Sequence, residues 1–241
     1  MNQKILRKLI SFAGGDKLGL LKLAIASSCL VIVPQVQVRA ASIPILNHSF
    51  ENPMAPMQSG GSYYSMNVIN NWILTPPPTG PIPLQGVFSP MMAPATTSAF
   101  TDPIPDGSQT AYSNGGTIRQ VLTATLQAKT QYTLGAYVGN RNFQAFPGYS
   151  IELWAGGNLL ASNGSVTPAD GRFSLVTVNY TSGSMVTSGQ ALEIRLVSSG
   201  VQANFDLITL NATPIPTPIP EPSAILGLLG FGLLGIGLKL K

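Results

Sequence analysis

At 241 residues, the chain is long enough for one or two domains, and setting aside its two end segments leaves enough residues for one folded core. The formal charge of +4 lies at the ends: between Ala41 and Thr213 five basic residues face seven acidic ones, a balance of −2. A weakly acidic middle with no basic stripe argues against nucleic acid as a partner. The single cysteine, Cys29, sits in a segment expected to be removed, which leaves the mature domain without disulfides or thiolate metal ligands.

The first forty residues read as a secretory signal helix. A basic start leads to an apolar stretch from Leu18 to Val33, then Pro34 and a small-residue exit at Val38-Arg39-Ala40, so cleavage is expected after Ala40. An uncleaved membrane anchor is the rival reading. From Ile43 onward Gly, Pro, Ser, Thr and Asn dominate and helix formers are scarce, which favours short strands joined by turns.

The region from Asn52 to Pro105 carries eleven prolines and reads as long surface loops around short strands near Asn71–Leu74 and Gly86–Phe88. Tyr132, Leu134, Ala136 and Val138 alternate with small or polar neighbours in the period-two pattern of a half-buried strand. Ile151, Leu153 and Ala155 do the same, and Gly156-Gly157-Asn158 turns the chain back into Leu159-Leu160-Ala161, a hairpin. Further strands are expected at Phe173–Thr181, Leu192–Val197 and Phe205–Leu210. Eight or so strands without a convincing helix predict an all-β sandwich of two antiparallel sheets over residues 41–212. The Thr-Pro alternation of residues 213–220 follows as a polyproline spacer.

The chain ends with Pro220-Glu221-Pro222, an apolar run from Ser223 to Leu238, and Lys239-Leu240-Lys241. Residues 220–241 resemble the sorting signal of PEP-CTERM exported bacterial proteins. The resemblance implies export, an exosortase-type processing enzyme as partner, and a C-terminal transmembrane helix that anchors the protein transiently in the inner membrane before it reaches the cell surface or the medium. The apolar run is short for a stable span of about 20 residues, which favours a removable anchor.

A second resemblance rests on Asn47-His48-Ser49-Phe50-Glu51, Asn71-Trp72, Pro105-Asp106-Gly107-Ser108-Gln109 leading to Tyr112, Ile118-Arg119-Gln120, and Phe205-Asp206-Leu207-Ile208-Thr209-Leu210. These pieces resemble the jelly-roll modules of the galactose-binding-like class, carbohydrate-binding modules among them. The resemblance implies a jelly roll whose first strand carries Asn47 and Glu51. It also implies a structural calcium ion held by Glu51 and Asp206, with backbone carbonyls near Asn47 or in the Asp106-Gly107 loop; hydrogen-bonded strand-edge acids are the plainer reading.

Sugar sites stack aromatic rings on the carbohydrate and surround them with amides and charged groups. The candidates are Tyr63 and Tyr64 in a Gly/Ser loop, Trp72 beside Pro76-Pro77-Pro78, and Asn140, Arg141 and Phe143 with Tyr149 after a strong strand. Each of these aromatics could equally be a core residue. Hydrolytic motifs are absent: the chain has one histidine, His48, and neither HExxH nor GxSxG. The expectation is therefore a non-enzymatic cell-surface or matrix protein, carbohydrate-binding or adhesive. A structural exopolysaccharide or biofilm component without a defined ligand is the alternative, and a hydrolase the least favoured reading.

Overall fold

The computed structural model describes residues 39–77, 79, 84–90 and 99–216. The expected signal helix, membrane helix and sorting motif lie outside these residues, as does Pro78. The described residues contain twelve strands: β1 Ala41–Ser42, β2 Tyr63–Tyr64, β3 Ile73–Thr75, β4 Gln85–Ser89, β5 Thr110–Ser113, β6 Gly116–Thr125, β7 Thr130–Asn140, β8 Tyr149–Ala155, β9 Asn158–Asn163, β10 Phe173–Thr181, β11 Ala191–Ser198 and β12 Ala203–Pro214. They form two antiparallel sheets. One runs β10-β7-β12-β5-β4-β2 with β1 added on β12, and the other β3-β6-β11-β8-β9. This is the all-β jelly-roll sandwich that the sequence predicts.

Alternation builds the core, because successive side chains in a strand point to opposite faces. In β7, Tyr132, Leu134, Ala136 and Val138 are fully buried. They meet Ile151 and Leu153 of β8 and Leu192, Ile194 and Leu196 of β11 in one cluster between the sheets. The β8–β9 hairpin closes where expected, with Gly156 at φ 54° and Gly157 at φ 82°, values that favour glycine. In β12 the register shifts between Asp206 and Thr209. That bulge lets Phe205 and Ile208, three positions apart, both point into the core.

Two expectations need correction. Asn47–Glu51 is not a strand: residues 46–49 form a turn, and Asn47 and Phe50 take left-handed φ of 51° and 59°. The turn is closed by the Asn47 side chain, whose Oδ1 accepts from the Asn52 amide (3.0 Å) while Nδ2 donates to the carbonyls of Asn52 and Asn70 (2.6 and 2.9 Å). The spacer also begins later than residue 213. β12 continues through Thr213 and Pro214, opposite Gln131 and Thr130, and the Ile215 amide still donates to the Lys129 carbonyl at 2.7 Å.

The two faces of β7 should respond differently to truncation. Leu134→Ala is expected to cost about 2–5 kcal/mol and the neighbouring, partly exposed Thr133→Ala within about 0.5 kcal/mol, read as the shift in urea midpoint. Equal shifts would contradict the inward placement of Leu134.

Candidate functional site: an aromatic cleft on the outer face of the large sheet

The sequence pattern leads one to expect a polar outer face on an antiparallel sheet; part of this one is aromatic. Strand register aligns Gly139, Asn204, Tyr112 and Gly86 in a row across β7, β12, β5 and β4. Phe88 and Tyr64 stand opposite each other in the next row. Phe88 and Tyr112 are buried with Ala99, Phe100 and Ile104 in a second hydrophobic cluster, against which Tyr64 and Phe173 pack.

The cover over this cluster is the segment 99–106, tied down at both ends. At one end the amides of Thr101 and Asp102 donate to the Gly171 carbonyl (2.8 and 3.1 Å), and the Phe100 and Phe173 rings lie 4.5 Å apart. Asp102 accepts from Arg172 Nη1 at 2.5 Å and from the Phe173 amide at 3.1 Å. The bond from Arg172, then that from Phe173, lowers the Asp102 pKa. At the other end the Asp106 amide donates to Asp206 Oδ2 at 2.9 Å.

Beside this cover is a half-open cleft of about 190 Å³ lined by Ser62, Tyr64, Phe88, Tyr112, Asn114, Arg141 and Gln202. Tyr64 and Tyr112 meet edge to face, 6.4 Å between centroids at 86°, the arrangement favoured by ring quadrupoles. The Tyr112 hydroxyl donates to the Ser65 carbonyl at 2.9 Å. Burial first, and the neighbouring Tyr64 second, push its pKa upward, so it stays a neutral wall group. The Arg141 guanidinium lies 5.3 Å from the Phe88 ring centroid and donates from Nη1 to Gln202 Oε1 at 3.1 Å.

Of the residues singled out from sequence, Tyr64 and Arg141 line this cleft and the others do not. Tyr63 has the opposite strand parity and packs on the main core, its hydroxyl 3.4 Å from Met57 Sδ. Trp72 is only 6% exposed: it packs on Phe50 at 5.1 Å and its indole N–H donates to the Asn47 carbonyl. Asn140 is buried and donates to the Pro168 carbonyl and Asp170. Tyr149 is buried with its hydroxyl on the Val166 carbonyl at 2.7 Å, whereas Phe143 is 88% exposed at a left-handed turn residue. Asn140, Phe143 and Tyr149 therefore share no binding platform. Ser62, Phe88, Tyr112, Asn114 and Gln202 escaped the sequence reading; for Phe88 and Tyr112 a signal existed, namely an aromatic at the outward parity of a short strand.

Glu51 and Asp206 do come together, around the loop 105–109. Glu51 Oε1 accepts from the amides of Ser108 and Gln109, both at 2.8 Å, and Oε2 from the Ser108 hydroxyl at 3.0 Å. Gly107, at φ +71°, leaves room for that carboxylate, since a Cβ there would lie 2.4 Å from Glu51 Oε1. Asp206 is fully buried, and its Oδ1 accepts from the Leu207 amide at 2.7 Å. Burial raises its pKa to about 8 against the two amide bonds, with Asp106 and Glu51 adding repulsion. His48 Nε2 lies 3.8 Å from Asp106. Asn47, expected near the metal, uses its side chain to close the 47–52 turn. Among the described residues no three His, Cys, Asp or Glu are grouped to hold a metal ion, so an ion at Glu51 and Asp206 would need backbone carbonyls as further ligands.

Comparison with known proteins bears on both the fold and the activity. The family model described as HpiC1 cyclase matches residues 41–211. Among solved structures, a Stig cyclase from Fischerella sp. TAU, in complex with (3Z)-3-(1-methyl-2-pyrrolidinylidene)-3H-indole, is 28% identical. The match covers 74% of this chain and 100% of that one at a TM-score of 0.63. A cyclase from the same organism in complex with 4-(1H-indol-3-yl)butan-2-one is 29% identical, covering 73% of this chain and all of that one at a TM-score of 0.62. No curated protein matches by sequence. These matches overturn the expectation of a non-enzymatic domain. That expectation rested on the missing motifs of hydrolases, which a cyclisation does not require. The PEP-CTERM protein-sorting motif matches residues 218–241, which marks the protein as exported and directed to the cell surface and implies handling by an exosortase.

The buried acid makes a pH-dependent stability measurable. The unfolded Asp206 side chain ionises near 3.8 and the folded one near 8, so the stabilisation present below pH 4 is lost as pH rises through that window. In chelator-containing buffer, stability should fall between pH 4 and 8 by up to about 1.4 kcal/mol per pH unit. Asp206→Asn should flatten that slope, and an unchanged slope would remove Asp206 as its source.

Proposed function

The chain belongs to the HpiC1-like cyclase family, and we propose on that premise that its exported domain is a cyclase acting on a small substrate with a flat heteroaromatic ring. The observation that carries the reading is the cleft of Tyr64, Phe88 and Tyr112, an aromatic-walled recess on a sheet face that would otherwise be polar. Its volume lies below the about 300–1,000 Å³ of drug-sized pockets, which suits one or two rings. Rigid rings hold a planar ligand at low entropic cost. A flexible chain on that ligand, confined between the walls, is brought close to its own ring, and such proximity alone lowers a ring-closing barrier by several kcal/mol. The wall residues present no histidine or carboxylate, so their contribution is shape and exclusion of water.

One solved relative holds an indole carrying a butanone chain, which makes that ketone a direct probe. The full chain is expected to bind 4-(1H-indol-3-yl)butan-2-one saturably in calorimetric titration. Tyr112→Ala or Phe88→Ala should weaken binding at least tenfold, about 1.4 kcal/mol. Ser62, Asn114 and Gln202, which also line the cleft, would suit sugar hydroxyls. Saturable binding of a polysaccharide, with none of the ketone, would overturn the cyclase reading in favour of carbohydrate binding.

The structural ion belongs to the same proposal. Calcium at Glu51 and Asp206 would relieve the repulsion among Glu51, Asp106 and Asp206, a cluster against which no arginine or lysine is paired among the described residues. Added calcium should raise the melting temperature and a chelator lower it; indifference to both would sink the ion. Transient inner-membrane anchoring through residues 223–238 completes the picture. Mass spectrometry of the exported protein is expected to find the tail removed, and Lys241 on it would refute processing.

A further inference from the structure

The sandwich has four arginines between residues 41 and 214, and three of them are paired with a carboxylate. Arg119 and Arg195 reach Glu193 at 3.4 and 2.7 Å, and Arg172 reaches Asp102 at 2.5 Å. Arg141 is different. It is half-buried against Phe88, its guanidinium donates to the neutral Gln202 amide, and no carboxylate lies within ion-pair distance among the described residues. Residues 78–98, part of which lie outside the description, contain no Asp or Glu. Partial burial disfavours the charged form of Arg141, yet guanidinium stays protonated in proteins. The cleft therefore holds a cation that has shed part of its water without gaining a counter-charge, a position that costs free energy unless something else occupies it.

We infer that the cleft selects ligands carrying an anionic group, a carboxylate above all, set a short chain away from the flat ring, with Arg141 as the specificity residue. This deepens the cyclase reading and rests on it. The ring lies against Tyr64, Phe88 and Tyr112 while the anion takes the guanidinium face not used by Gln202. A planar fork of donors matches a carboxylate bidentately. A neutral ketone gains only a single acceptor contact at the same place.

The test compares two isosteric probes on the full chain: 4-(1H-indol-3-yl)butan-2-one and indole-3-propanoate, in which a carboxylate oxygen replaces the ketone methyl. The acid is expected to bind at least tenfold more tightly than the ketone. Arg141→Met should reduce the preference to about twofold or less while saturable ketone binding, weakened by loss of its one contact to the guanidinium, persists and shows the variant folded; Arg141→Lys should restore part of the preference. Equal affinities in the wild type, or a preference that survives Arg141→Met, would overturn the inference while the ring-binding cleft stands. Failure of both probes to bind would overturn the cyclase site itself and this inference with it.

Discussion

Everything on the outer face of the large sheet depends on two places where the backbone has no side chain. A Cβ on Gly86 would lie 2.3 Å from the Ser65 carbonyl oxygen, and one on Gly139 would lie 2.5 Å from the Phe173 ring. Only glycine tolerates such approach. At the first, the chain around Ser65 settles onto β4, with the Ser65 amide on the Val87 carbonyl and the Ser65 hydroxyl accepting from the Val87 amide. At the second, the Phe173 ring sits close over Gly139 and meets Phe100. Between them stand Tyr112 and Asn204. A surface that strand alternation would leave wet thus gains a second apolar layer, and the cleft is the unfilled part of it.

Much of the sandwich is legible in the sequence because its inner face follows a two-residue period. β7, β8, β10 and β11 are plain in the alternation of residues such as Leu134 with Thr133 and Ile194 with Glu193. The turn at Asn47–Phe50 is not, because it rests on left-handed backbone at non-glycine residues that is stabilised by the Asn47 side chain, and propensity carries no trace of that. Trp72 looked like a platform because tryptophan beside prolines often is one; its indole N–H finds a partner only once the 47–52 turn exists. The cleft is the least legible part. Tyr64, Phe88, Tyr112, Arg141 and Gln202 come from five regions of the sequence, and only the strand order β7-β12-β5-β4-β2 makes them neighbours.

The charges divide in a way that matches this division of labour. Glu193 ties Arg119 to Arg195, whose guanidinium also lies 3.6 Å from the Trp154 ring centroid. That network lies on the smaller sheet, where both arginines have a carboxylate partner. On the larger sheet, Asp206 is buried without a cationic side chain paired to it, and Arg141 is half-buried without an anion, among the described residues. One sheet pairs its charges within itself, while the other keeps a buried acid that burial holds protonated and a half-buried cation, neither paired with an opposite charge. Local departures of that kind reduce stability and concentrate where a protein meets something else.

The extension of β12 changes how much chain separates the sandwich from the sorting motif. Ile215 is still hydrogen-bonded to the sandwich, and the motif begins at residue 218, so two intervening residues leave at most about 10 Å of chain between them. The length of chain between the sandwich and the motif is therefore set by where the strand ends rather than by where the Thr-Pro alternation begins. Lys129, whose carbonyl holds the Ile215 amide, marks the point at which the sandwich hands over to that segment.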